Sequence, residues 1–315
     1  MQSYLFDQLS SKETYTIRPM PNEDYKEGLS TLDLVLIRKH ILNLQYLDSP
    51  YKMIAADVNN SQSITTFDMV ALRKVVLNIS DGFTNNTSWR FVDAAYDFPE
   101  PTNPWVEDFP ELININDLPP GLVQADFVAI KVGDVNNTAI PNNLIQPDDR
   151  SNNDIFSLPI LDRKVKKGEI FSVPFKGNLS DIAGLQFTLN FDVHQLELTN
   201  IQEGLLKKEN FGMHLSDQGF LTASWNGDID KNTTLFGLLF KAKEDGLLSD
   251  FLKLTSDYTP AEAYAKTTTA SVNSILDLDL TFYKKENVHH TSSSEFELFP
   301  NRPNPFSEST FIGFY

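Results

Sequence analysis

Between residues 57 and 68 the chain reads "DVNNSQSITTFD". Asp57, Asn59, Ser61 and Ser63 stand at alternate positions, and Asp68 follows five residues later. Each can offer an oxygen. Short Asp, Asn and Ser side chains let a loop wrap closely around a hard cation, and calcium takes about six to eight such ligands. The implied chemistry is cation binding.

A twelve-residue loop of the EF-hand type wants oxygen side chains at positions one, three and five, a backbone carbonyl at seven and a bidentate acid at twelve. Counting from Asp57, those places fall on Asn59, Ser61, Ser63 and Asp68. The apolar Ile64 at eight suits a loop that packs on a partner. Position six is Gln62, where the sharp turn prefers glycine. Only Asp57 and Asp68 carry full charge, so the expected affinity is modest, on the order of 10⁻⁵–10⁻³ M. The alternative is an Asx-rich turn that leads into a capped helix.

An earlier segment repeats this design. "GLSTLDLVLIRKHILNL" (28–44) aligns without gaps to "SITTFDMVALRKVVLNI" (63–79), 35 residues on. Thr31/Thr66, Asp33/Asp68, Val35/Val70, Arg38/Arg73, Lys39/Lys74, Leu42/Leu77 and Asn43/Asn78 are identical pairs. The same frame gives Asn22, Asp24, Lys26, Gly28, Ser30 and Asp33. Lys26 at the fifth place opposes a cation. A third, partial copy is "GLVQADFVAIKVGDVNN" (121–137), in which Asp126 follows Leu122 as Asp33 follows Leu29 and Gly133 is a natural helix stop. Its "GDVNN" matches the front of the good loop, with Asp134 and Asn136 in the places of Asp57 and Asn59. Asp33 has a poor front half, and Asp134 has no acid at the twelfth place. The expectation is that Asp134 and Asn136 reach Asp33 and complete a second calcium site. It requires Asp33 within about 8 Å of Asp134.

The elements that must position these residues follow from periodicity. Leu34, Ile37, Ile41 and Leu44 keep helical spacing, as do Met69, Leu72, Val76 and Ile79. Ser30–Thr31 and Thr65–Thr66 can cap the first turns. A short strand-like piece, "TYTIRPMP", ends at Pro19 and Pro21. From about residue 155 the period becomes two. Phe171, Val173 and Phe175 alternate, as do Leu185, Phe187, Leu189 and Phe191, and Leu276, Leu278, Leu280 and Phe282. "FLTASW" and "TLFGLLFKAK" fit between them. Short strands with Gly, Asn and Asp turns argue for a β-sandwich. The expected fold class is multidomain: a small α-helical, loop–helix region followed by an all-β sandwich. The expected boundaries are an upstream segment ending at 21, a helical region with an aromatic, Pro-rich insertion at 22–139, a linker at 140–154, the sandwich at 155–283, a polar linker at 284–295 and a terminal segment at 296–315.

Composition narrows the partners. The 315 residues carry a net charge of −17, which disfavours nucleic acid and anionic membranes and suits divalent cations. There is no cysteine, so disulfides and thiol catalysis are excluded. No run reaches the ~18 apolar residues of a membrane span. "MQSYLFDQLSSKE" does not read as a signal peptide, so the chain is either cytosolic or lacks its true N-terminus. No GxSxG, HExxH, P-loop or GxGxxG occurs. His40, His194, His214, His289 and His290 have no metal-trio spacing. Trp89, Trp105 and Trp225 could stack on sugar rings, with core packing as the alternative.

The repeat resembles a dockerin, whose two loop–helix copies bind calcium with Asp as twelfth ligand. With "SWRFVDAAYDFP" and "KVGDVNN" it is similar to dockerin-like regions in secreted proteins of Bacteroidota. Residues 155–283, through "GLQFTLNFD", "GFLTASWNGD" and "LFGLLFKAKEDG", resemble a cohesin-like sandwich of the carbohydrate-binding superfamily. "LFPNRPNPFSESTFIGF" is similar to the start of a type IX secretion sorting domain. Together these imply a non-catalytic, calcium-stabilised interaction module, secreted or at the cell surface, from a larger protein. Its partner would be a protein or a polysaccharide. A dockerin–cohesin type contact would use the helix faces at Arg38–Lys39 and Arg73–Lys74, which are otherwise solvated. The alternatives are an accessory region of a polysaccharide-degrading enzyme or a carbohydrate-binding module.

Overall fold

The computed structural model describes residues 5–121, 123–140, 154–229, 232–266 and 274–284. The expected linkers at 140–154 and 284–295 and the terminal segment at 296–315 lie almost wholly outside them. Those up to Tyr283 belong to one compact unit, in which the helical region and the sandwich pack together.

The helical region opens with β1 (Tyr15–Ile17), then α1 (Thr31–Ile41), α2 (Pro50–Ala56) and α3 (Thr66–Val76). The repeated helices start and stop alike. Ser30 and Thr65 are N-caps that form capping boxes with Asp33 and Asp68. Asn43 and Asn78 then adopt φ of 56° and 58°, the left-handed stop for which asparagine is suited. The next residues close the turn, with Leu44 N–H on Lys39 O at 2.9 Å and Ile79 N–H on Lys74 O at 2.8 Å. Leu34, Ile37, Ile54, Leu72 and Val75 meet in one core.

The third partial copy is not a helix. Residues Phe127–Lys131 form β4, which pairs antiparallel with β2 (Trp89–Asp93), while β3 (Ile113–Ile115) pairs with β1. Physically, "FVAIKV" alternates branched residues at Val128, Ile130 and Val132, a period of two that tertiary pairing rewards.

The sandwich contains β5 (Ile155–Leu161), β6 (Lys164–Val165), β7 (Ile170–Asn178), β8 (Ile182–Phe191), β9 (Leu196–Glu203), β10 (Phe211–Gly212), β11 (Phe220–Asn226), β12 (Asn232–Ala242), β13 (Gly246–Leu247), a short α4 (Leu248–Phe251), β14 (Leu252–Thr255), β15 (Glu262–Ala265) and β16 (Ile275–Tyr283). One sheet runs β10-β11-β8-β15-β16-β5, with β14 also on β8, and the other runs β7-β12-β9. The five segments read as strands from the sequence are β7, β8, β11, β12 and β16. Phe175 stacks on Phe236 at 4.3 Å between centroids, and Phe187 and Phe211 pack around the same ring.

Strand β8 is buried on both faces. Leu185, Phe187 and Leu189 point into the sandwich. Gln186 and Thr188 on the opposite face, with Thr222 and Ser224 of β11, are also buried, and α1 and α3 cover them. The sheet satisfies polar groups that the helix ends leave open. Thr31 N–H donates to Gln186 Oε1 at 2.7 Å, and Thr31 Oγ1 lies 2.6 Å from Ser224 Oγ. At the end of α3, Thr259 Oγ1 donates to Val76 O and Thr222 Oγ1 to Leu77 O, each at 2.7 Å.

Candidate metal centres

The first loop runs from the end of α2 to the first turn of α3, so helices hold both ends. Asp57 is the C-cap of α2 and is fully buried. Its Oδ1 accepts Ser61 N–H at 2.7 Å and its Oδ2 accepts Gln62 N–H at 2.8 Å. Asp68, also fully buried, takes Asn59 N–H on Oδ1 at 3.1 Å and Thr65 N–H on Oδ2 at 2.8 Å. Ser61 Oγ donates to Ser63 O at 3.3 Å. Asn60 and Gln62 take φ of 56° and 62°, so Gln62 fills the sharp-turn place in the conformation that glycine favours. The sequence-predicted set of Asp57, Asn59, Ser61, Ser63 and Asp68 is thus gathered in one loop.

The second loop is assembled from two distant segments. Asp134 Oδ1 accepts Thr138 N–H at 3.2 Å and its Oδ2 accepts Ala139 N–H at 2.7 Å. Asp33 Oδ1 accepts Val135 N–H at 2.9 Å and Asn136 N–H at 3.3 Å, and its Oδ2 accepts Ser30 N–H at 2.9 Å. Thr138 Oγ1 donates to Gly28 O at 2.9 Å. The bonds of the first loop recur with two differences: Val58 N–H, the counterpart of Val135 N–H, donates to Ala56 O, and Asn136 Oδ1 accepts Thr138 N–H and Oγ1 where Asn59 Oδ1 has no partner. Asp134, Asn136 and Thr138 take the places of Asp57, Asn59 and Ser61. Gly28 stands for Ser63 and Asp33 for Asp68. Asn137, with φ of 60°, stands for Asn60. A Cβ on Gly28, itself at φ of 73°, would lie 2.6 Å from the Ala139 backbone, so the two half-loops abut there.

The weak front half of the first repeat is therefore displaced. Lys26 turns to Asp81, with 3.5 Å between the charged atoms. Sequence reading missed Thr138, although it stands at the fifth place counted from Asp134, and placed Gly28 at the seventh place of the first repeat without joining it to Asp134.

The electrostatics suit a cation. Burial pushes the Asp33 carboxyl up to about 8, and the Asp134 charge alongside adds to the shift. Burial also raises Asp134 and Asp57, offset in part by the backbone N–H groups they accept. Asn59 Oδ1 is buried without a hydrogen-bond partner. Such an acceptor is expensive to leave unpaired, and it sits at position three of the loop. Among the described residues no three His, Cys, Asp or Glu side chains converge. Each loop has two carboxylates, with amide, hydroxyl and carbonyl oxygens completing a hard donor set.

For two further groups of residues the sequence left two readings open. Trp89 and Trp225 are buried, Trp225 within the sandwich core, so both pack rather than present a ring. The helix faces at Arg38 and Arg73 turn toward the sandwich. Arg38 pairs with Asp228 at 2.8 Å, and Arg73 Nη2 donates to Asn226 Oδ1.

No family model matches the chain, and no curated protein matches it. Similar solved structures are cohesins. The seventh ScaB type I cohesin from Pseudobacteroides cellulosolvens is 19% identical over 42% of this chain and 96% of its own, with a TM-score of 0.30. The sixth cohesin of scaffoldin B from Acetivibrio cellulolyticus, solved in complex with a dockerin, is 16% identical over 41% of this chain and 100% of its own, at 0.29. A non-cellulosomal cohesin from Archaeoglobus fulgidus is 14% identical over 42% and 97%, at 0.26.

Proposed function

We propose that this chain is a non-catalytic, calcium-stabilised interaction module, a part of a larger exported protein that meets a protein or polysaccharide partner outside the cell. The observation that carries the calcium reading is the pair of loops with one bonding pattern, in one of which Asn59 Oδ1 is left buried and unpaired. Asp57, Asn59, Ser61, the Ser63 carbonyl and Asp68 would hold one ion. Asp134, Asn136, Thr138, the Gly28 carbonyl and Asp33 would hold the other. The ions supply charge that offsets paired buried carboxylates and fix each loop to the helix that follows it. The dockerin-like pattern of residues 22–139 and the cohesin-like pattern of the sandwich support an architectural role.

Calorimetric titration of calcium into the EDTA-stripped chain tests this. Two sites per chain are expected, with a melting temperature that rises with calcium. A ligand at 100 times its Kd adds about 2.7 kcal/mol. No binding heat and an unchanged melt at millimolar calcium would overturn the reading.

A further inference from the structure

The two loops bond alike but differ in what lies beyond them. Leu32 and Val35, in the helix that leaves the discontinuous loop, are each 3% exposed, whereas their repeat equivalents Phe67 and Val70 are 74% and 49% exposed. The sandwich makes the difference. Leu32 and Val35 pack on Ala183 and Tyr264. A Cβ on Gly184 would come within 3.0 Å of Val35 and 3.1 Å of Thr31, so α1 lies directly on the backbone of β8.

Ligand and docking residues share one helical turn. Thr31, at position ten of the discontinuous loop, holds Gln186 and Ser224 of the sandwich. Ser30 and Asp33, at positions nine and twelve, lie beside the Tyr264 hydroxyl, which donates to Glu262 Oε2 at 2.7 Å. A cation that fixes Asp33 against Asp134 therefore fixes the turn that meets β8 and β11. In the contiguous loop Thr66 and Phe67 face outward.

We propose that the discontinuous loop is a calcium-operated latch: an ion held by Asp33, Asp134, Asn136 and Thr138 keeps the helical region docked on the chain's own sandwich, while the contiguous loop, whose helix meets the sandwich only toward its far end, stiffens the helical region. This rests on reading the loops as calcium sites. By linkage, docking must strengthen calcium binding as much as calcium strengthens docking.

The chain has no cysteine, so Ser224→Cys places a single thiol beneath Thr31. Its labelling rate by a thiol reagent is measured on the full chain in calcium and in EDTA. The latch predicts slow labelling in calcium and a rate at least about tenfold faster in EDTA. Adding Asp134→Asn should make labelling fast even in calcium, and adding Asp57→Asn should leave it slow. Equal rates in all four cases would overturn the latch, as would release by Asp57→Asn alone. Calorimetry on the same samples separates the failures: absent calcium binding sinks the calcium reading, while binding with calcium-independent labelling sinks only the latch. Thr31→Val keeps every loop ligand and gives the reverse test. It should weaken one calcium site of the two by about fivefold or more, and an unchanged isotherm would overturn the proposal.

Discussion

The Oδ1 of Asp33 accepts the backbone N–H of Val135 at 2.9 Å, a bond between residues 102 apart in the chain. It closes the helical region end to end, because Asp33 opens α1 and Val135 follows the last strand of that region. Truncation of this carboxylate leaves the N–H groups of Ser30, Val135 and Asn136 without their acceptor. Each buried unsatisfied group costs about 1–3 kcal/mol. Asp33→Ala is therefore expected to lose about 3 kcal/mol or more, read as a lower denaturation midpoint with an unchanged slope. A midpoint equal to the parent's would show that the closure is not structural.

Asn59 separates binding from folding. Its Oδ1 makes no hydrogen bond in the protein, so removing it sacrifices no internal bond of that atom. Asn59→Ala should reduce calcium affinity by about tenfold, the loss of one ligand worth roughly 1.4 kcal/mol. In EDTA its melting temperature should stay close to the parent's. A large loss in EDTA with unchanged calcium affinity would contradict the role given to Asn59.

Gln62 occupies the sharp turn at φ of 62°. An L residue is strained there by about 1–2 kcal/mol, and glycine is not, although glycine loses about 0.5–1 kcal/mol in the unfolded-state entropy. Gln62→Gly should stabilise the chain by up to about 1 kcal/mol. Destabilisation on chemical denaturation would show that the side chain contributes more than the turn.

His40 gives a pH dependence outside the two loops. Its Nδ1 accepts Leu47 N–H at 3.1 Å, and burial lowers its pKa from the usual 6.5. The folded state thus favours the neutral ring. Its contribution is fully present above about 6.5 and is lost as pH falls through the depressed folded value. The melting temperature should drop on acidification through that window, and His40→Gln should flatten the drop. An identical pH profile in the variant would remove His40 as the cause.

The helices, their caps and the sandwich core were legible because each follows a local period. Leu34, Ile37 and Ile41 mark α1, and Leu185, Phe187 and Leu189 mark β8. The contiguous loop was legible for the same reason, since its candidate ligands lie within twelve residues. The discontinuous loop was legible in outline, through the match of Asp134 and Asn136 to Asp57 and Asn59. Thr138 was not, and Gly28, read at the seventh place of the first repeat, joins Asp134 only once distant segments meet. Strand β4 was misread because its likeness to the repeats hid the alternation of Val128, Ile130 and Val132. The docked face was hidden for another reason. Gln186, Thr188, Thr222 and Ser224 are polar, and polar alternation reads as a solvent face. The available signal was the short hydroxyls of Thr188, Thr222 and Ser224 in place of the Lys and Glu of a wet strand.

That polar face sets the final prediction. Thr222 and Thr259 donate to the last carbonyls of α3, Leu77 O and Val76 O. Valine keeps the volume at either position but leaves a buried carbonyl unsatisfied, for a loss of about 1–3 kcal/mol each. The two parts have separate hydrophobic cores, so each can unfold by itself once their contact is weakened. The parent should therefore melt in one calorimetric transition, and the Thr222→Val, Thr259→Val double variant in two, with the helical region first. Only the lower transition should move with calcium, because both loops belong to the helical region. A double variant that still melts as one cooperative step would show that apolar contacts of Leu32 and Val35 with Tyr264 hold the parts together without these bonds.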